Sequence, residues 1–156
     1  MSNFLKLVLS ILICQLAGIT GALFTAGSVS GWYATLIKPS FNPPDSVFAP
    51  VWTVLYLLMG ISMFLIWKEG LRNKEVRNAF ILFIVQLVFN TLWTIIFFGA
   101  QSVTGGFIVI LILWILILIC IFRFLRISKT AGMLLIPYFF WVAFAAVLNC
   151  YIMILN

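Results

Sequence analysis

The chain has 156 residues, of which 65% are hydrophobic and only 8% are charged, and its formal net charge is +6. This composition excludes an ordinary soluble domain, in which about a quarter of the residues are charged. The basic residues lie between apolar runs and do not cluster with aromatic residues, so we expect no nucleic-acid partner and interpret the charge as membrane topology.

Five apolar runs are long enough to cross a bilayer as helices, which takes about 20 residues each. These runs are continuous, and they are too long for the roughly 10-residue strands of a membrane barrel. The sequence therefore predicts an all-α integral membrane protein in which residues 1–156 form one bundle of five transmembrane helices. The predicted spans cover about residues 4–26, 47–67, 79–100, 107–124 and 133–155.

The first span combines an early lysine with small residues toward its end, which is also typical of a cleaved signal peptide. Its apolar part exceeds the 7–15 residues usual for such a peptide, so a retained helix is the favoured interpretation. Small side chains let a neighbouring backbone approach closely, within the bundle or across a dimer. The small residues are Ala17, Gly18, Gly21 and Ala22.

The first loop, predicted at residues 27–46, is rich in proline. Pro39, Pro43 and Pro44 fix the backbone and lack N–H donors, which favours a stiff, irregular segment. Pro50 suits the first turn of the second helix. A simple helix-stopping linker would have the same properties.

Polar and aromatic residues recur at helical spacing along one face of the second, third and fifth spans. Amides are costly in hydrocarbon, so these faces are expected to point inward. Periodicity alone leaves two alternatives open: an interlocked core, or a cavity for a flat apolar ligand. The faces consist of Trp52, Tyr56, Met59 and Met63; of Gln86, Asn90, Trp93, Thr94 and Phe97; and of Tyr138, Trp141, Ala145, Leu148 and Asn149.

The fourth span, "FIVILILWILILICIF" at residues 107–122, is apolar on every side. No face of it is marked for a ligand or for a neighbouring helix. We therefore expect it to lie mostly against lipid.

The residues that several kinds of catalytic or ion-coupled site require are absent from the predicted spans. Histidine is absent, and the three acids, Asp45, Glu69 and Glu75, fall in loops or at span ends. This inventory speaks against metal-dependent hydrolysis, a catalytic triad and paired carboxylates, and against the intramembrane relay of a proton-coupled exporter. We expect no metal site and no cofactor, and interpret Cys14, Cys120 and Cys150 as small apolar fillers.

The basic residues predict the orientation. With five spans, eight of the nine fall on the side of the N-terminus, and Lys38 alone falls on the other. In a bacterial cell membrane, the positive-inside rule then places the N-terminus in the cytoplasm and the first loop and C-terminus outside. The eight are Lys6, Lys68, Arg72, Lys74, Arg77, Arg123, Arg126 and Lys129.

Five segments in this order give the chain a resemblance to the TspO family, which includes bacterial tryptophan-rich sensory proteins and the mitochondrial translocator protein, also called the peripheral-type benzodiazepine receptor. The resemblance covers nearly the whole chain. Its segments are "WYATLIKPSFNPP" at 32–44, "FAPVWTVLYLLMG" at 48–60, "WKE" at 67–69, "QLVFNTLWTIIFFGA" at 86–100 and "PYFFWVAFAAVLN" at 137–149.

The resemblance implies a receptor, commonly a homodimer, that binds porphyrins such as protoporphyrin IX and isoquinoline- or benzodiazepine-type ligands in a cavity under the first loop. It also implies that Pro43 and Pro44 shape this lid. The helical faces themselves add Tyr56 and Phe97 to the candidate site. The positions that the resemblance implies for ligand contact are Tyr33, Trp52, Asn90, Trp93, Trp141, Ala145 and Leu148.

Two alternative functions stay open. One is light-dependent oxidative breakdown of a bound porphyrin, with Trp52 and Trp141 as candidate catalytic residues. The other is facilitated porphyrin transport. Each follows from the resemblance and from the absence of acid, base and metal groups.

Two departures from the family pattern stand out. Phe41 replaces the tryptophan that usually precedes the Pro-Pro pair, which removes an indole N–H. The sterol pattern of animal members is broken here, because Val147, Leu148 and Tyr151 are followed by no basic residue. Cholesterol is therefore not a predicted partner.

Overall fold

The computed structural model describes residues 1–156 and contains helices but no strands. Five helical segments are long and apolar enough to cross a membrane, which confirms the predicted fold class. The elements in chain order are α1 Asn3–Val29, α2 Trp32–Thr35, α3 Asp45–Trp67, α4 Lys74–Thr94, a π-helical segment Ile95–Gly99, α5 Val103–Ile127, α6 Lys129–Leu134 and α7 Ile136–Leu155.

The helices extend beyond the apolar runs because polar caps lie outside them. Asn73 accepts a hydrogen bond from the Glu75 N–H, and α4 begins five residues before the predicted start at position 79. Ser102 caps α5 in the same way. The fifth span is divided at Leu135 into α6 and α7, and the first loop is shortened to residues 30–44.

The five long segments form a ring. Around the bundle, α1 packs on α3, α6 packs on α3, α7 packs on α5, α5 packs on α4, and α4 closes the ring on α1. Direct contact between α3 and α7 is slight. This weak seam leaves space inside the bundle at the end where the first loop lies.

Glycines allow α1 to approach its neighbours closely. A Cβ on Gly60 of α3 would lie 2.7 Å from the Ile11 Cα, and a Cβ on Gly18 would lie 2.6 Å from the Tyr56 ring. Gly21 faces Thr94 of α4, 3.3 Å from its hydroxyl oxygen by the same measure. Gly18 and Gly21 of the first span thus allow close packing within the bundle.

The fourth span, expected to lie mostly against lipid, packs one face in the bundle and exposes the rest of its surface. Eight residues of α5 are buried, including Leu113, Cys120 and Phe124, whereas α1 buries only four. A helix that is apolar on every side is equally compatible with lipid and with a protein core. Its position between α4 and α7 decides the matter, and the position of a helix in a bundle is not encoded in its composition.

Candidate functional site

A cavity of about 420 Å³ lies inside the bundle at the end covered by the first loop. It is bounded by α1, by α3, by the end of α4 with the π-helical segment, by α7 and by α2. The α1 wall is made partly of small residues, including Gly18, Gly21 and Ala22. The other walls are mainly aromatic, so the space has a smooth side and a side of flat rings.

The candidate site residues converge on this cavity. Eight of the nine ligand-contact candidates line it, and Asn90 does not. Pro43 and Pro44 are not in the wall either; Pro44 is the residue before α3 and sets where that helix begins. The eight lining residues are Tyr33, Trp52, Tyr56, Trp93, Phe97, Trp141, Ala145 and Leu148.

Four of these side chains form a continuous row of aromatic rings. The Tyr56 and Trp52 ring centroids are 5.5 Å apart with planes 29° from parallel, and the Trp52 and Trp93 centroids are 6.4 Å apart at 32°. Trp93 continues to Phe97 at 5.8 Å and 28°. Rings at such spacings and inclinations attract one another, so the row is a stable aromatic wall.

The π-helical segment places two consecutive aromatic side chains, Phe97 and Phe98, in the cavity wall. Its widened turn is visible in the backbone N–H of Ala100, which donates to the carbonyl oxygen of Ile95, five residues back, at 2.8 Å. The Ser28 hydroxyl of α1 donates to the Phe98 carbonyl oxygen at 2.6 Å and stabilises the altered backbone.

Asn90 lies behind the wall, in a buried polar chain that crosses three helices. Its side-chain oxygen accepts a hydrogen bond from the Tyr56 hydroxyl, and its amide nitrogen donates to the Tyr138 hydroxyl at 2.9 Å. Tyr138 in turn donates to the Gln86 side-chain oxygen at 2.9 Å. Asn90 therefore acts on the cavity through Tyr56, whose ring it holds in place.

The three cavity tryptophans differ in how their indole N–H groups are used. The Trp93 N–H donates to the Asn149 side-chain oxygen at 3.3 Å, and Asn149 donates to the Val103 carbonyl oxygen at 3.0 Å. The Trp141 N–H is buried and has no partner. It is closed off from the cavity as well as from water, so a ligand acceptor does not reach it. The Trp52 N–H also has no protein partner but is not closed off, so Trp52 offers a ligand acceptor an available hydrogen bond.

The first loop is fastened over this end of the bundle. The Asn156 side chain accepts from the Ile37 N–H and donates to the Ile37 carbonyl oxygen, both at 2.9 Å. The Phe41 ring meets the Tyr151 ring edge-on, with centroids 5.2 Å apart. The phenyl ring at position 41 therefore packs on α7, and this contact does not require an indole N–H.

Tyr33 joins the loop to the cavity. Its side chain is 4% exposed, and its hydroxyl donates to the Asn42 side-chain oxygen at 3.1 Å. Burial, with a smaller contribution from the Asp45 charge, raises the pKa of Tyr33 to about 12. Tyr33 is thus a neutral hydrogen-bond donor throughout the physiological pH range.

Sequence reasoning missed several lining residues. Phe48 and Asp45 sit at the start of α3, beyond the face that began at Trp52, and Phe98 depends on the π-helical segment. Asn149 and Thr94 also line the cavity, and their helical spacing had already placed them on the inward faces. No three His, Cys, Asp or Glu side chains are close enough together to hold a metal ion.

The model of the TspO/MBR family matches residues 10–155. The chain belongs to the TspO/MBR family. It is 44% identical to the tryptophan-rich protein TspO of Archaeoglobus fulgidus over 99% of both chains. It is 43% identical to the tryptophan-rich protein TspO of Chlorobaculum tepidum, over 99% of this chain and 98% of that protein. The human translocator protein is 37% identical over 83% of this chain and 77% of its own length.

TspO/MBR membership and the five apolar helices together make this an integral membrane protein. The related proteins carry the names of sensory and translocator proteins, in agreement with a receptor-like role at a membrane. In this TspO/MBR family member, the aromatic cavity is the feature on which such a role can be based.

Proposed function

We propose that this protein is a membrane receptor for a flat, largely apolar ligand, namely a porphyrin such as protoporphyrin IX or an isoquinoline- or benzodiazepine-type molecule. The observation that carries the proposal is the continuous row of four aromatic rings in the cavity wall. A flat aromatic ligand packs favourably against aromatic rings, by stacking or edge to face. The volume of about 420 Å³ falls within the range of roughly 300–1,000 Å³ typical of small-molecule sites.

Few polar groups are available to orient the ligand. Asn90 and the N–H of Trp93 are engaged inside the protein, and the N–H of Trp141 is closed off, which leaves the unpartnered N–H of Trp52 as a donor in the wall. Shape and stacking therefore supply most of the affinity, and Trp52 supplies direction.

Changing Trp52 to phenylalanine tests this assignment. An aromatic ring stays while the indole N–H and part of the stacking area are lost, so the affinity for protoporphyrin IX is expected to fall about five- to tenfold, mainly through the loss of one hydrogen bond of about 1 kcal/mol. Binding is followed by the porphyrin absorption spectrum in detergent solution.

Trp114→Phe is the matched control, because its indole N–H is also unpartnered but lies on α5, buried near Phe139 and away from the cavity. Its affinity is expected to equal that of the wild type. Equal affinities for all three proteins would remove Trp52 as the donor, and the absence of saturable binding would refute the receptor proposal.

A second candidate function is the light-dependent oxidation of a bound porphyrin by dioxygen. The observation in its favour is that Trp52 and Trp141 both line the cavity, where either ring can contact the excited macrocycle. We expect the double variant Trp52→Phe, Trp141→Phe to slow the decay of the Soret band under light. A decay as fast as that of the wild type and of Trp114→Phe, with the dark rate subtracted, would exclude this function.

The proposed orientation places the first loop outside and the N-terminus in the cytoplasm. Ten of the twelve charged side chains lie at the end opposite to the cavity, and eight of those ten are basic. The cavity would then open toward the external side.

Two further proposals rest on the family resemblance. One is that the protein forms a homodimer. The other is porphyrin transport, which would have to be facilitated movement, because the spans hold no ionisable relay for coupling to protons.

A further inference from the structure

Charge is scarce around the cavity, and its arrangement is uneven. Lys38 and Asp45 are the two charged side chains at this end of the bundle. Asp45 lines the cavity, whereas Lys38 does not. A ligand in the cavity thus meets a negative charge in the wall and no positive one.

Lys38 is held apart from the cavity by its own contact. Its ammonium nitrogen lies 4.5 Å from the centroid of the Tyr33 ring, within the distance of a cation–π interaction. Tyr33 is part of the wall, so Lys38 contacts a wall residue without lining the cavity itself. Lys38 would have to leave this position to pair with a ligand carboxylate.

Asp45 lies at the N-terminal end of a helix. It is the first residue of α3, and a carboxylate in the first turn interacts favourably with the helix dipole. Its charge also reaches a second wall residue, since after burial it helps to raise the pKa of Tyr33. The rings of Phe48 and Trp52 follow on the same helix and add negative π faces.

We propose that Asp45 sets the charge preference of the cavity, so that flat ligands with a cationic or neutral group near the first loop bind more tightly than those with carboxylates there. This inference rests on the proposed receptor function. Charged groups of an amphipathic ligand cannot enter the apolar walls without a large desolvation penalty, so they stay at the mouth beside Asp45. There a carboxylate is repelled and an ammonium group is attracted.

Three ligands with one macrocycle test the preference: protoporphyrin IX, its uncharged dimethyl ester, and its diamide bearing two trimethylammonium groups. The wild-type protein is expected to bind the cationic diamide most tightly and the diacid most weakly. The differences should shrink as salt is raised, because the mouth is open to solvent and its charges are screened. Affinities are measured in one detergent at several salt concentrations.

Two variants of Asp45 form a charge series. Asp45→Asn is expected to raise the affinity for the diacid roughly three- to tenfold and to lower it for the cationic diamide by a similar factor, with the ester unchanged. Asp45→Lys should extend both trends. Glu75→Gln is the matched control, because it removes a carboxylate from the first turn of α4 at the other end of the bundle.

The outcomes separate this inference from the receptor proposal. The charge preference would be overturned if the ester binds saturably while the affinities for the diacid and the diamide do not change in the Asp45 variants. It would also be overturned if these affinities change equally in Glu75→Gln. Either result would leave the receptor proposal intact. Binding of none of the three macrocycles would overturn both.

Discussion

Replacing Ala145 with phenylalanine is expected to abolish binding of protoporphyrin IX, with a loss of affinity of more than about 100-fold. Ala145 lies on α7 in the cavity wall and is 8% exposed, so the added phenyl group enters a space of about 420 Å³. The phenyl group occupies part of the space that a macrocycle needs against the row of rings, and binding would then require overpacking of the site. A titration followed by porphyrin absorption measures the loss.

Val147→Phe is the matched control on the same helix, since Val147 is half exposed and outside the cavity wall. Its affinity should equal that of the wild type. Ala22→Phe, from the exposed part of the α1 wall, provides a second blocking variant that disturbs no buried core position. Full binding by both blocking variants would place the ligand outside this cavity.

Replacing Asn90 with leucine is expected to lower the free energy of unfolding by about 1–3 kcal/mol. Leucine leaves the Tyr56 hydroxyl without its acceptor and removes the donor to Tyr138, in a region closed to water. The midpoint of thermal unfolding in detergent should fall by roughly 3–10 °C. Porphyrin affinity should fall with it, because Tyr56 loses the contact that fixes its ring.

Thr91→Val, at the neighbouring position, is the control for Asn90→Leu. The Thr91 hydroxyl donates only to the Leu87 carbonyl oxygen of its own helix, at 3.3 Å, so its loss should change stability by less than about 0.5 kcal/mol. A melting midpoint of Asn90→Leu equal to that of Thr91→Val would show that the polar chain contributes nothing to stability.

Much of the fold was predictable because a bilayer imposes a length on every apolar run. The ends were less so. The helix α4 begins at Lys74, and its first turn is polar and capped by Asn73, outside the apolar window that defined the span. The face of α5 that packs in the bundle could not be predicted from the sequence, since apolar side chains face lipid and protein equally well.

The candidate site was predictable to the level of helix faces. Periodicity identified the inward faces of three spans, and the resemblance indicated a cavity rather than a solid core. The sequence did not predict which residues of an inward face reach the cavity. Asn90 shares a face with Trp93 but lies behind Tyr56, outside the cavity wall. The π-helical segment was not accessible either, because the spacing of the residues before Phe97 is that of an ordinary α-helix.

The contact between Asn156 and Ile37 has a practical consequence for handling the protein. Two hydrogen bonds of 2.9 Å tie this residue to the first loop, so any peptide fused after Asn156 starts beside the segment that covers the cavity. An affinity tag at that end would disturb the hydrogen bonds between Asn156 and Ile37. A charged tag would also add charge near Lys38 and Asp45. A tag before Ser2, at the opposite end of the bundle, leaves that region unaltered.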